Sequence, residues 1–323
     1  MALATRSGPA GPGPAVQAQF LHITDTHLVA PGEALYGLDP LERLRRVLGA
    51  MAARHAAPGP EQARFVLHTG DVAHAGAAPA YDAFAEVLAG FPLPVHCLIG
   101  NHDDREAMLR ALPAAPRDPA GFVQGVVDGG AFRLLLLDTH VPGRPYGELC
   151  EARLAWLAAR LAEDARPVLL AMHHPPFATG LQRMDCISLA EPERLWEVLA
   201  PHRARLRHLF FGHLHRPIAG SWRGIPVSTL RGTAHQVAFD LVRSWRLPVP
   251  GSDEPAAYGV VRVSAECVVV HQMDVLDEMR RFDLSPVFIA EGAEPAWLVR
   301  IRPELLPLSQ PFPVHQPEQE SAP

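Results

Sequence analysis

The chain alternates short, nearly unbroken apolar runs with longer stretches whose apolar residues recur every three or four positions. The short runs are "FLHIT" (20–24), "RFVLHT" (64–69), "PVHCLIG" (94–100), "FRLLLLD" (132–138), "PVLLAM" (167–172) and "RHLFFG" (207–212). Their continuity predicts strands covered on both faces. The longer stretches predict helices at 41–55, 80–90, 151–163 and 192–200. Regular strand–helix alternation implies an α/β or mixed layered domain. Beyond about residue 222 the pattern changes. "IPVSTL", "AYGVVRVS" and "CVVVHQMD" read as strands with no helix between them, which extend the sheets.

The two ends read differently from the middle. Residues 1–17 are rich in Gly, Pro and Ala and lack an apolar core, so they are expected to be a disordered leader rather than a signal peptide. Residues 18–245 form the expected main folded domain. Residues 246–323 form an expected C-terminal extension, with strands to about 275 and then a proline-rich tail ending "HQPEQESAP". A chain of 323 residues that is 48% hydrophobic can build one large core.

Charge and cysteine content narrow the function. The net charge is −6 and no long Lys/Arg run appears, so the electrostatic footprint of a nucleic-acid binder is missing. Small molecules are the expected partners. No apolar run reaches 18 residues, so no membrane-spanning helix is expected. The four cysteines form no C-x-x-C pair, and Cys97 lies in an apolar run as a buried thiol. Reduced cysteines without a signal sequence point to the cytoplasm.

The chemistry sits just after the strands. Asp25 and His27 follow the first run, Gly70 and Asp71 the second, and Gly100, Asn101, His102 and Asp103 the third. His173 and His174 follow "PVLLAM", and Gly212, His213 and His215 follow "RHLFF". The carboxyl edge of a layered α/β sheet is where ligands bind. Oxygen and nitrogen donors without thiolate suit Zn, Fe or Mn. The donors are too many for one tetrahedral ion. Two ions about 3.5–4 Å apart, sharing one carboxylate, would use them all.

D-T-H, G-D, G-N-H-D, H-H-P-P and G-H-L-H, in that order, resemble the signature of the calcineurin-like metallophosphoesterase superfamily from about residue 18 to 245. "GNHDDREAMLRA", "LDTHVPGRPYGELCEARLAWLAARL", "HHPPFATGLQRMDCISL" and "STLRGTAHQVAFDL" resemble its bacterial class III cyclic-nucleotide phosphodiesterases and related glycerophosphodiesterases. The resemblance implies a four-layer αββα sandwich of two mixed β-sheets flanked by helices. It implies two metal ions, Fe, Mn or Zn, one held by Asp25, His27, Asp71 and His215 and the other by Asp71, Asn101, His173 and His213. It makes His102 and His235 the residues that contact substrate beside Asn101 and that serve catalysis. The subgroup often forms homo-oligomers.

The implied reaction is hydrolysis of a small phosphodiester, with 3′,5′-cyclic nucleotides (cAMP) first, by attack of a metal-bridging hydroxide on phosphorus. His102 or His235 would protonate the leaving oxygen. With Asp25, Asp71 and hydroxide present, a diester monoanion brings two divalent ions close to neutrality, and a monoester dianion overshoots. A glycerophosphodiesterase or broad-specificity phosphatase is the alternative. A non-catalytic interaction module is a third reading, disfavoured because every ligand position is filled.

Other residues are weighed separately. Asp103 is expected to orient a histidine or a loop. His22 and His68 are expected to be structural, and His55, His202 and His208 to be surface or helix-flank residues. His174, Met184 and Asp185 are undecided between pocket and scaffold. Purple acid phosphatases carry a ligand tyrosine three residues after the shared Asp, and His74 stands there instead, which argues against that branch.

Overall fold

A computed structural model of the chain describes residues 16–242 and 246–276. The expected leader, apart from Val16 and Gln17, and the proline-rich tail lie outside the described residues. The chain runs β1 (Ala18–Ile23), α1 (Pro40–His55), β2 (Val66–His68), α2 (Ala78–Ala89), β3 (Val95–Cys97), α3 (Arg105–Ala111), β4 (Gly125–Asp128) and β5 (Arg133–Leu137). It continues through α4 (Glu151–Ala162), β6 (Val168–Met172), α5 (Gln182–Asp185), α6 (Pro192–Leu199) and β7 (Leu206–Phe210). The remaining strands are β8 (Ile218–Trp222), β9 (Ile225–Thr229), β10 (Gln236–Val237), β11 (Gly251–Ser252), β12 (Ala257–Val263) and β13 (Val268–Asp274).

Two mixed sheets carry the fold. One has the order β13-β12-β1-β2-β3 and the other β4-β5-β6-β7-β9-β8. β1, β2 and β3 run parallel, as do β5, β6, β7 and β9. Alternation along each strand explains the unbroken apolar runs. Phe20, Leu67, Leu134, Leu136, Leu169, Ala171 and Phe210 meet in a core between the sheets. Their neighbours Leu21 and Ile23 face α1 and α2 instead. Leu135, Leu137, Leu170 and Met172 face α4 and α6. Three apolar layers thus separate four layers of secondary structure, and the αββα sandwich follows. Phe20 stacks on Phe65 at 4.8 Å and meets Phe210 edge-on at 5.7 Å, which ties the sheets together.

The helices start where local chemistry directs. Asp39 accepts from Glu42 N at 3.0 Å and Pro40 opens α1. Asp104 caps α3 by accepting from Ala107 N at 2.8 Å.

Beyond residue 222, β9 joins the second sheet and β12 and β13 the first, while β10 and β11 pair with each other in a small sheet of their own. β12 pairs antiparallel with β1, from Ala18↔Val263 to His22↔Gly259, and β13 pairs with β12. One compact unit, Val16–Val275, holds the 18–245 segment together with these strands. Two histidines expected at the surface are buried. His55 bonds to the Glu61 carbonyl and the Tyr258 hydroxyl, and His208 to the Ser228 hydroxyl at 2.8 Å. The reason is topology: β12 covers the end of α1, and β9 lies alongside β7. All four cysteines are unpaired and Cys97 is buried. Among the described residues no helix is long and apolar enough to cross a membrane.

Candidate metal centre

The parallel strands of both sheets deliver their polar residues to one place. Asp25 and His27 lie just past β1, Asp71 past β2, Asn101 and His102 past β3, His173 directly after β6, and His213 and His215 past β7. Close approach demands small residues beside them. A Cβ on Gly100 would land on the Asp71 carboxylate, and one on Gly212 would meet the Thr24 hydroxyl and His173. The backbone is held against its preference here. Asp25, His27, Asp71, His213 and His215 all have positive φ, at 54°, 41°, 58°, 70° and 49°. Such conformations cost about 1–3 kcal/mol each and persist where the surroundings over-determine them.

Two donor sets form. In the first, His27 Nε2 lies 3.0 Å from His215 Nε2 and 3.3 Å from Asp71 Oδ2, and His215 Nε2 lies 3.3 Å from Asp25 Oδ1. The donor atoms of Asp25, His27, Asp71 and His215 all lie within 4.8 Å of one another. In the second, Asn101 Oδ1 lies 3.2 Å from His173 Nε2 and 3.0 Å from His213 Nδ1, and His173 Nε2 lies 3.3 Å from Asp71 Oδ2. Asp71 is common to both.

The outer nitrogens are anchored, which aims the inner ones. His173 Nδ1 donates to Thr69 O and His215 Nδ1 donates to His235 O, both at 2.8 Å. Asp25 Oδ2 accepts from the Thr24 hydroxyl at 2.7 Å. Asp103 ties the loops together. Its carboxylate accepts from Val72 N, Ala73 N, Gly100 N and the Tyr81 hydroxyl.

The electrostatics ask for positive charge. Burial opposes ionising Asp25 and Asp71, yet His215 and His173 outweigh it and hold both carboxyls well below the usual range. Burial likewise opposes charge on His173, but the Asp71 carboxylate prevails and pushes it up to about 9. His27 and His213 go the other way, down to about 4 and about 3, chiefly through burial. So His27 and His213 keep free lone pairs, while two buried carboxylates draw protons onto their neighbours. This donor set, two carboxylates, an amide oxygen and four imidazoles, fits divalent cations.

The centre opens into a cavity of about 800 Å³, lined among others by Tyr36, His74, His102, Met184, His235 and Asp253. The His102 backbone N–H donates to Asp71 Oδ1 at 2.9 Å. The His235 ring packs 4.5 Å from that of His215. Met184 faces the cavity, whereas the Asp185 carboxylate is used by Thr179 and Gly180 in its own loop. His174 is fully buried, with Nδ1 2.8 Å from the Thr139 hydroxyl and, among the described residues, no hydrogen-bond partner at Nε2. Tyr36 is 71% exposed at the cavity with φ 53°, and nothing in the pattern of "EALYGL" marks it in advance. His74 reaches His27. That contact joins loops after β1 and β2 and is set by the tertiary structure.

The family profile of the calcineurin-like phosphoesterases matches residues 18–217. The chain is 49% identical over 270 residues to a probable cyclic nucleotide phosphodiesterase of Rhodopseudomonas palustris, covering 82% of this chain and 96% of that one. It is 39% identical over 210 residues to the 3′,5′-cyclic adenosine monophosphate phosphodiesterase CpdA of Escherichia coli, covering 64% and 72%. Its fold is similar to that of a dimetal phosphatase from Danio rerio, with a TM-score of 0.59 at 16% identity over 82% of this chain and 98% of that one. Matched along most of its compact unit, and sharing that architecture, the chain belongs to the calcineurin-like phosphoesterase family and is a metallophosphoesterase.

Proposed function

We propose that the protein is a two-metal phosphodiesterase of small phosphodiesters, with 3′,5′-cyclic nucleotides, cAMP foremost, as substrates. The observation that carries this reading is the position of Asp71, 3.3 Å from both His27 Nε2 and His173 Nε2, so that one carboxylate serves two donor sets. Asp25, His27, Asp71 and His215 would hold one ion, and Asp71, Asn101, His173 and His213 the other. Iron, manganese and zinc all suit these donors. Bound there, the ions supply positive charge to a phosphoryl group and acidify water at neutral pH. The names of the Rhodopseudomonas palustris and Escherichia coli relatives support the choice of substrate.

The remaining work falls to side chains on the cavity wall. His102, set in place by its backbone bond to Asp71, donates to a phosphoryl oxygen and hands a proton to the leaving oxygen. His235 is a poor proton source. Burial, then His215 and His27, push it down to about 2, so it stays neutral at neutral pH and orients the ester by hydrogen bonding. Asn101 offers its Oδ1 to the second donor set. The cavity leaves room for a nucleoside beside the centre. The catalytic unit comprises residues 18–245 with β12 and β13 completing its first sheet. Unpaired cysteines support a cytoplasmic location.

The test is hydrolysis of bis(p-nitrophenyl) phosphate beside p-nitrophenyl phosphate, on chelator-stripped protein with and without Mn²⁺. Metal-dependent cleavage of the diester is expected, followed by cAMP cleavage faster than that of glycerophosphodiesters. Preference for the monoester would move the protein to the phosphatases.

A further inference from the structure

His74 follows Asp71 by three residues and takes no place in either donor set. It is half-buried at the cavity. The loop that carries it is pinned to the loop after β1: Leu28 N donates to Val72 O at 2.9 Å, and His74 N donates to Leu28 O at 2.8 Å. This places the His74 ring between two others. Its Nδ1 lies 3.2 Å from His27 Nδ1. Its face stacks on His102, with centroids 4.9 Å apart and planes inclined by 21°.

One proton fits between the two Nδ1 atoms, and the centre decides who carries it. His27 Nε2 points at His215 Nε2 and Asp71 Oδ2, so Nε2 must keep its lone pair for a cation. The proton is then on His27 Nδ1 and is donated to His74 Nδ1, and His74 carries its own proton on Nε2. Metal-binding histidines usually give this outer proton to a carboxylate, carbonyl or water. An imidazole accepts it without adding negative charge to a site that already holds Asp25 and Asp71. The same flat ring backs His102 and limits how that imidazole can turn.

We propose that His74 is a positioning residue of the centre: it accepts the outer proton of His27 and braces the ring of His102, so one side chain orients a metal-binding and a phosphate-facing imidazole. The inference rests on the two-metal reading above.

Three variants separate the two contacts. His74→Phe keeps a flat ring behind His102 and loses the acceptor. His74→Asn keeps an acceptor oxygen near the Nδ1 position and loses the ring. His74→Ala loses both. Each chelator-stripped protein is titrated with Mn²⁺ and followed by electron paramagnetic resonance and bound-metal stoichiometry, with the unfolding temperature of the stripped protein as control. His74→Phe is expected to weaken one of two Mn²⁺ sites by about 10- to 100-fold, while His74→Asn restores the affinity. At saturating Mn²⁺, kcat on bis(p-nitrophenyl) phosphate falls further for His74→Asn than for His74→Phe. Unfolding temperatures of the stripped variants stay close to wild type. Wild-type Mn²⁺ binding by His74→Phe, or equal loss in all three variants tracking their unfolding temperatures, overturns the proposal. Wild-type protein that binds two Mn²⁺ but cleaves no diester overturns the phosphodiesterase reading and leaves the affinity order as evidence for His74.

Discussion

Two groups of buried histidines lie along the same strands. His22, His68 and His208 sit inside β1, β2 and β7, and His27, His173, His213 and His215 sit past strand ends. Each inner histidine has a hydroxyl partner: Thr69 for His22 at 2.9 Å, Thr26 for His68 at 3.1 Å, and Ser228 for His208 at 2.8 Å. Burial lowers all three, His22 to about 3 and the other two to about 4. Of the outer histidines, His27, His173 and His215 face carboxylates, and His213 faces the Asn101 amide oxygen. Burial is common to both groups, so burial does not distinguish a scaffold imidazole from a working one. The partner does: a hydroxyl settles a neutral ring, and a shared carboxylate makes a cation site.

The sharpest way to break this contrast is Asp71→Asn. Removing the carboxylate common to both donor sets should abolish stoichiometric Mn²⁺ binding and lower diester hydrolysis by about 10³-fold or more, as read by bound metal and steady-state rates. Retention of both ions would mean that Asp71 is not shared.

The pH dependence of stability separates the groups by sign. The inner histidines have folded pKa values below 6.5, so the unfolded chain takes up their protons first. Their stabilisation is complete above pH 6.5 and is lost as pH falls toward 4, by about 1.4 kcal/mol per pH unit for each. His173, raised to about 9, behaves oppositely in metal-stripped protein. Its contribution is complete below pH 6.5 and is lost as pH rises through 9. Unfolding temperature against pH should therefore fall on both sides, and His173→Asn should remove part of the alkaline fall alone.

A smaller effect is expected at His102. His102→Ala should lower kcat by about 10²-fold while both Mn²⁺ ions remain bound, which separates the cavity wall from the centre. Smallest is His208→Leu. It removes one neutral scaffold imidazole, so metal content and kcat should not move. The cost near pH 8 should be about 1 kcal/mol for the lost bond to Ser228, and the acid fall should become shallower. A change in Mn²⁺ affinity there would show that the inner histidines reach into the centre after all.

Much of this could be read along the chain. The apolar runs mark strands because both faces of each sheet are covered, and the polar residues after each run stand out for that reason. α3 has a cap at Asp104 and helix formers in "REAMLRA", but seven residues are too few for an apolar period to show. β4 leaves no apolar run because its four residues pair only with β5 at the sheet edge. The cover of His55 comes from β12, far off in sequence, and that of His208 from β9, its neighbour in the sheet, so neither is visible in the local pattern.

The order of strands, and which residue follows each, are local properties of a chain with a period of two or 3.6, and the sequence alone determined them. Distances between strand ends are not local. They depend on parallel register, on the order β1-β2-β3 beside β5-β6-β7, and on face-to-face packing through Phe20 and Phe210. Only the tertiary structure could bring Asp71 within 3.3 Å of both His27 and His173. It alone set His74 between His27 and His102, because those contacts join loops from three different strands.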